Sequence, residues 1–276
     1  MKTKNVRVDG DPYVILGMVG DGEFCNVFYA QRDNPREMVA LKVPREGTPT
    51  SADALRREAN LIRELASSSV KGTEYFSTFL PPLLETVKLT SDSWSTTANR
   101  YLWRTGFHYT FEDVLRRYPN GVDAKTAIWM WKRALSFLGW LHLAGYVHSS
   151  CTPQHLLIHP RDHGLVFAGW SRVARIGTPL VARSPGYEFY YPSDIWGGGK
   201  VTPETDIVMS ARCIYRVLGG DSSNLPTSVP GELASLVVDV SQGKRIQGAW
   251  DLLRVVDNTA KKLYGSNHYH NFTMES

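Results

Sequence analysis

Residues 148–157, HSSCTPQHLL, decide how the rest of the chain is read. They follow an amphipathic run and the strand-like GYV, and they lead into an apolar stretch and a polar turn. A loop in that setting can carry a catalytic Asp two places after the His and an Asn five places further on. Here those two places hold Ser150 and His155. The question is whether chemistry has been lost from this loop or was never there.

Around it lie 276 residues, 42% hydrophobic and 21% charged, with a formal charge of +4. That suffices for one large domain or two lobes, and the small charge does not demand a nucleic-acid partner. Cys25, Cys151 and Cys213 are far apart and odd in number, which points to neither a disulfide framework nor a zinc site. The stretch MKTKNVRVDGDPY lacks the apolar core of a signal peptide. No apolar run reaches the length needed to cross a bilayer. A soluble, cytoplasmic protein without a membrane or nucleic-acid role is expected.

Upstream, YVILGMVG, NVFYAQ, EMVALKVP, LLETVKLT and NRYLWRTG read as strands. Between the third and fourth, SADALRREANLIRELASS places Ala54, Leu55, Glu58, Leu61, Ile62 and Leu65 at helical spacing, with Ser51 and Asp53 as candidate caps. Beyond about residue 106 helices dominate: YTFEDVLRRYP, DAKTAIWMWKRALSFLGWLHLAG, PETDIVMSARCIYRVLGG, GELASLVVDVSQ and GAWDLLRVVDNTAKKLYG. The order predicts a β-rich region, residues 1–105, and a helical one, residues 106–276, with a cleft between them.

In the first region GDGEFCNV, residues 20–27, sits between two strands. Gly20 and Gly22 permit a tight turn whose backbone N–H groups can approach phosphate oxygens. Lys42 follows on an otherwise apolar strand and needs a partner, for which Glu58 on the next helix is the natural candidate.

Loop, strand Lys and helix Glu together resemble the protein-kinase family. GDGEFCNV is similar to the kinase Gly-rich loop, with Cys25 in place of its third Gly. VALK, residues 39–42, is similar to the motif whose Lys contacts ATP phosphates, and Glu58 matches that Lys's partner. The resemblance implies an α+β, bilobal protein-kinase-like fold, with a small β-rich N-lobe holding one helix and a larger helical C-lobe. It further implies that Val27 and Ala40 cover an adenine from above and that Leu157 supports it from below.

The catalytic centre departs from the family. Within the loop's frame of His148, Pro153, Leu156 and Leu157, Ser150 replaces the base, Thr152 the phosphate-contacting Lys, and His155 the metal-binding Asn. Where Asp-Phe-Gly should follow, Gly169-Trp170-Ser171 is the preferred match, and Phe167, Ala168 and Gly169 include no acid. A Ser hydroxyl has no useful basicity near neutral pH without an activating partner. Mg²⁺ needs hard oxygen ligands, so it is not expected here. His148, His155, His159 and His163 cluster in sequence, but along a loop, a strand and a turn, which does not point them at one metal.

Scaffold positions persist. Pro192-Ser193-Asp194 is similar to the Ala-Pro-Glu that ends the family's activation segment, and Arg245 stands where an Arg pairs with its acid. Asp206 matches the Asp that binds the catalytic-loop backbone, and Ile62, His148 and Trp170 match an apolar column. The phrases HPRDHGLVFAGW, TPETDIVMSARC, LPTSVP and GAWDLL resemble compact kinase-like proteins of bacteria and their phages.

The expectation is therefore a pseudokinase: a binding or regulatory module with no efficient phosphotransfer, able to hold ATP weakly or without metal. The alternative is a divergent phosphotransferase or nucleotidyltransferase using non-standard residues. A third reading makes Trp94, Trp103, Tyr187, Phe189 and Tyr190 a surface for a protein partner.

Overall fold

The structure is a computed structural model that describes residues 4–45, 49–222, 224–245, 248–266 and 269–274. The first three residues of MKTKNVRVDGDPY lie outside these residues. The chain divides into two compact units, residues 1–69 with 73–105, and residues 70–72 with 106–276.

The first unit contains β1 (Lys4–Val8), β2 (Asp11–Asp21), β3 (Cys25–Arg32), β4 (Glu37–Pro44), helix α1 (Pro49–Ala66), the short α2 (Thr73–Phe76), β5 (Leu83–Thr90) and β6 (Ser95–Leu102). Its strands form a closed antiparallel barrel in the order β1-β2-β3-β4-β6-β5. Side chains alternate between the two faces of each strand. One set, including Val6, Val8, Tyr13, Val39, Leu41, Val87 and Leu89, fills the barrel.

This architecture corrects the expectation of a bilobal kinase-like fold with a small β-sheet N-lobe. The strand that makes the difference is β1, which the sequence reading passed over as part of a polar stretch. Val6 and Val8 turn inward while their neighbours face water, which is a half-buried strand's alternation in only five residues. It pairs with β2 along its length and with β5 at Arg7↔Thr90 and Val8↔Leu89, and so closes the sheet.

Helix α1 starts at Pro49 rather than behind a cap at Ser51 or Asp53. Proline suits a first helical turn because its missing N–H would have had no partner there. Ala54, Leu55, Glu58, Ile62 and Leu65 are buried and Leu61 is half-buried at the edge, so the predicted stripe faces inward.

The second unit contains β7 (Tyr109–Thr110), α3 (Phe111–Arg117), α4 (Ala124–Leu143), β8 (Tyr146–Val147), β9 (Leu156–His159), β10 (Gly164–Phe167), β11 (Ala174–Arg175), α5 (Pro203–Val217), α6 (Gly231–Ser241) and α7 (Ala249–Tyr264). Helix α4 is buried around most of its circumference. Its Trp131 indole donates to the Ser210 hydroxyl of α5 at 3.2 Å. Asp123 caps α4 by accepting from the Lys125 N–H at 2.8 Å. A reciprocal capping box joins Thr110 and Asp113 at the start of α3. PRDHG turns the chain between β9 and β10, which pair from Gly164↔His159 to Phe167↔Leu156. Among the described residues no helix is long and apolar enough to cross a membrane.

Candidate functional site

In the first unit the strand register assembles one cluster. Gly20 lies opposite Val27, Val27 opposite Lys42, and Lys42 opposite Asn99. Directly paired residues share a face, and Ala40 shares that of Lys42 two places on. Val39 and Leu41 point the other way, into the barrel. The Lys42 ammonium donates to Glu58 Oε2 at 2.6 Å. Only 3% of the Glu58 side chain is exposed, so its charge depends on that partner and on one more. The second is the Tyr101 hydroxyl, which donates to Glu58 Oε1 at 2.6 Å. Burial first, then the Glu58 charge, push the Tyr101 phenol well above its ordinary range. Asn99 donates to the Leu55 carbonyl of α1 at 2.9 Å, tying β6 to the helix that carries Glu58.

The glycine turn is tighter than its sequence suggests. The Gly22 N–H donates to the Cys25 carbonyl at 3.0 Å, so this amide serves the turn itself. A Cβ on Gly22 would meet that same carbonyl oxygen at 2.8 Å, and close approach is what makes glycine necessary here. Arg45 braces the turn, donating to the Gly22 carbonyl at 2.7 Å and pairing with Asp21.

In the second unit the loop 148–155 is folded in on itself. His148, Ser149, Ser150, Cys151 and Thr152 are fully buried. Asp206 of α5 accepts the N–H groups of His148 and Ser149, each at 2.7 Å, and contacts His142 Nε2 at 2.9 Å. These contacts fulfil the bond to the loop backbone expected of Asp206. Ser149 takes a positive φ of 49°, and its hydroxyl donates to the Arg172 carbonyl at 2.7 Å.

Ser150, Thr152, His155 and Gly169 come together. His155 Nδ1 lies 2.9 Å from the Ser150 hydroxyl, 3.0 Å from the Thr152 hydroxyl and 2.9 Å from the Ser150 carbonyl. One ring nitrogen carries either a proton or a lone pair, so these three oxygens compete for a single bond. Gly169 has φ +79°, and a Cβ there would fall 2.7 Å from the His155 ring. Next to it, Trp170 packs edge-on to His148 with centroids 5.2 Å apart. Ile62, the other residue of the expected column, is buried within the first unit. Leu157 is half-buried on β9, paired with Val166 and Thr110.

The four clustered histidines have separate surroundings. His148 lies against Phe167 and Trp170, His155 against Ser150 and Thr152, His159 beside Phe107, and His163 between Trp129 and Tyr269. Among the described residues no group of three or more His, Cys, Asp or Glu side chains could hold a metal ion. Arg245 pairs with Asp239 of α6 at 2.9 Å and not with Asp194 as expected, because Asp239 is only six residues away along the chain. Of the five aromatics considered as a partner surface, only Phe189 is exposed. Tyr190 is buried, Trp94 packs on the barrel, Trp103 lies against Tyr29, and Tyr187 donates to Glu112 at 2.7 Å. Tyr101 and Asn99 were missed by the sequence reading, although they alternate on one face of NRYLW.

No protein-family model matches the chain. Among curated proteins it is 28% identical over 173 residues to the mitotic checkpoint serine/threonine-protein kinase BUB1 of Arabidopsis thaliana, an alignment covering 61% of this chain and 30% of that protein. The chain thus has a distant kinase-like relation, and it spans less than a third of the length of that relative.

Proposed function

We propose that this chain is a pseudokinase: a kinase-related binding or regulatory module that has lost phosphotransfer and serves a protein partner. The observation that carries the reading is the closure of Ser150, Thr152, His155 and Gly169 on one another. These are the positions where the family keeps its base, its phosphate contact and its metal ligands, and here the His155 ring lies against the Ser150 and Thr152 hydroxyls and the backbone of Gly169. Without a base and without metal carboxylates, phosphoryl transfer lacks its main means of stabilising charge. The Lys42–Glu58 pair supports retained ATP binding that is weak and independent of Mg²⁺, with phosphate charge met by Lys42. HPRDHGLVFAGW and TPETDIVMSARC support kinship with compact kinase-like proteins of bacteria and their phages.

The alternative, a divergent phosphotransferase or nucleotidyltransferase, would use the Ser150 hydroxyl with His155 at 2.9 Å as its base. Its geometry is that of an activated nucleophile, but Ser150 has no exposed surface, which favours the binding module. Thermal-shift titration with ATP, with and without Mg²⁺ or Mn²⁺, separates the cases, alongside incubation with γ-labelled ATP. The proposal expects a small, metal-independent shift that Lys42→Met abolishes, and no transfer of label. Label transfer that Ser150→Ala or Lys42→Met removes would overturn it.

A further inference from the structure

A cavity of 490 Å³ opens in the second unit between α4, α7 and the segment after α7. Its size falls within the range of small-molecule sites. One wall is a single stripe of α4, because Lys125, Ile128, Trp129, Lys132 and Arg133 recur at helical spacing of three and four. Leu253 and Tyr264 of α7 face it, and the segment after α7 contributes Tyr269 and His270.

Among the described residues the lining holds three permanent cations, Lys125, Lys132 and Arg133, and no carboxylate. Acids flank these residues, and the Asp162 charge acts on His163. Asp257 pairs with Lys132 and, at 2.7 Å, with Lys261, and Asp123 lies 3.6 Å from His270. Asp257 is shared between Lys132 and Lys261, so it does not cancel the three lining cations. The Arg133 Nε donates to the His163 carbonyl at 2.9 Å, which fixes its guanidinium in the wall. Lys125 reaches over the Tyr264 ring, 5.1 Å from its centroid.

Trp129 is a fixed part of the lining. It is 9% exposed and stacks on His163 at 4.4 Å with planes 4° apart. His163 in turn stacks on Tyr269 at 4.8 Å, so the indole cannot swing to find a partner. Its buried Nε1–H has no acceptor among the described residues.

We propose that this cavity binds a phosphate monoester carrying an apolar or aromatic body. The cations would take the phosphoryl oxygens, and Ile128, Leu253 and the Trp129 ring would cover the body. Binding would require neither Lys42 nor the loop 148–155, so it stands or falls apart from the reading as a pseudokinase.

The test is a ¹⁵N indole spectrum of the whole chain. The eight tryptophans give eight resonances, and Trp129→Phe identifies the one to follow. Phenyl phosphate is expected to move it saturably at millimolar concentration and to bind several-fold more tightly than inorganic phosphate. Lys125→Glu, at an exposed helix position, should weaken binding about tenfold by reversing a charge at the rim. Lys42→Met should leave it unchanged. A Trp129 resonance that phenyl phosphate does not move, or that inorganic phosphate moves at equal concentration, overturns the proposal. So does binding that ignores Lys125→Glu or that disappears with Lys42→Met.

Discussion

The imidazole of His155 lies against the α-carbon of Gly169, where a Cβ would come within 2.7 Å of the ring. The two positions are thus sterically coupled, the ring of one fitted to the missing side chain of the other. Gly169→Asp alone should destabilise the fold by about 2–4 kcal/mol, since it adds both a clash and an unfavourable positive φ. Combined with His155→Asn, part of that loss should be recovered, with a coupling of about 1–2 kcal/mol in a double-mutant cycle. Urea denaturation of the four proteins measures it, and strict additivity would contradict the packing described.

Glu58 has two partners, and they should be separable. Tyr101→Phe removes one charge-assisted hydrogen bond and should cost about 1.5–3 kcal/mol. Glu58→Ala leaves Lys42 without its carboxylate in a half-buried site and should cost about 3–5 kcal/mol. Once Glu58 is Ala, Tyr101→Phe should add little. Chemical denaturation of the cycle reads the coupling.

The three thiols should resist alkylation in the native state. Burial pushes Cys25 up to about 11, with Lys42 opposing and Glu58 adding to the shift. Burial raises Cys151 and Cys213 well above the ordinary thiol range, and for Cys151 the nearby Asp206 charge adds to it. The reactive species is the thiolate, so iodoacetamide at pH 8 should modify all three only after unfolding. Mass spectrometry of folded and denatured samples checks this.

Asp257 should contribute to acid sensitivity. Hydrogen bonds from Lys132 and then Lys261 bring its carboxyl down to about 2, against about 3.9 for an unperturbed aspartate. A folded-state pKa below the unfolded one means the unfolded chain binds the proton first. The contribution is therefore complete above about pH 4 and disappears as pH falls towards 2. Asp257→Asn should flatten stability over that window and leave its slope near neutrality unchanged, as thermal melts across pH would show.

What could be read along the chain was mostly local. Asp123 before α4, Thr110 with Asp113, and PRDHG between β9 and β10 announce their caps and turn through side chains a few residues away. The stripe of α1 was visible for the same reason, and Lys42 stood out because a cation on an apolar strand requires an acid. Long-range pairing was not visible. Nothing near Val6 and Val8 says that they will meet Leu89, and a fold inferred from motif likeness left β1 unplaced. Arg245 was assigned to Asp194 by likeness, where simple proximity would have chosen Asp239. The mutual fit of His155 and Gly169 spans fourteen residues and a hairpin, so it required coordinates.

The meeting of β1 with β5 has a further consequence for how this protein can be recognised. A barrel closed on itself offers no outer strand with a free row of amides and carbonyls. Where Arg7 meets Thr90 and Val8 meets Leu89, the seam is occupied, and an extended peptide cannot add to the sheet there. Association can instead use side chains projecting from the wall, such as the exposed Leu16, Met18 and Val19 of β2.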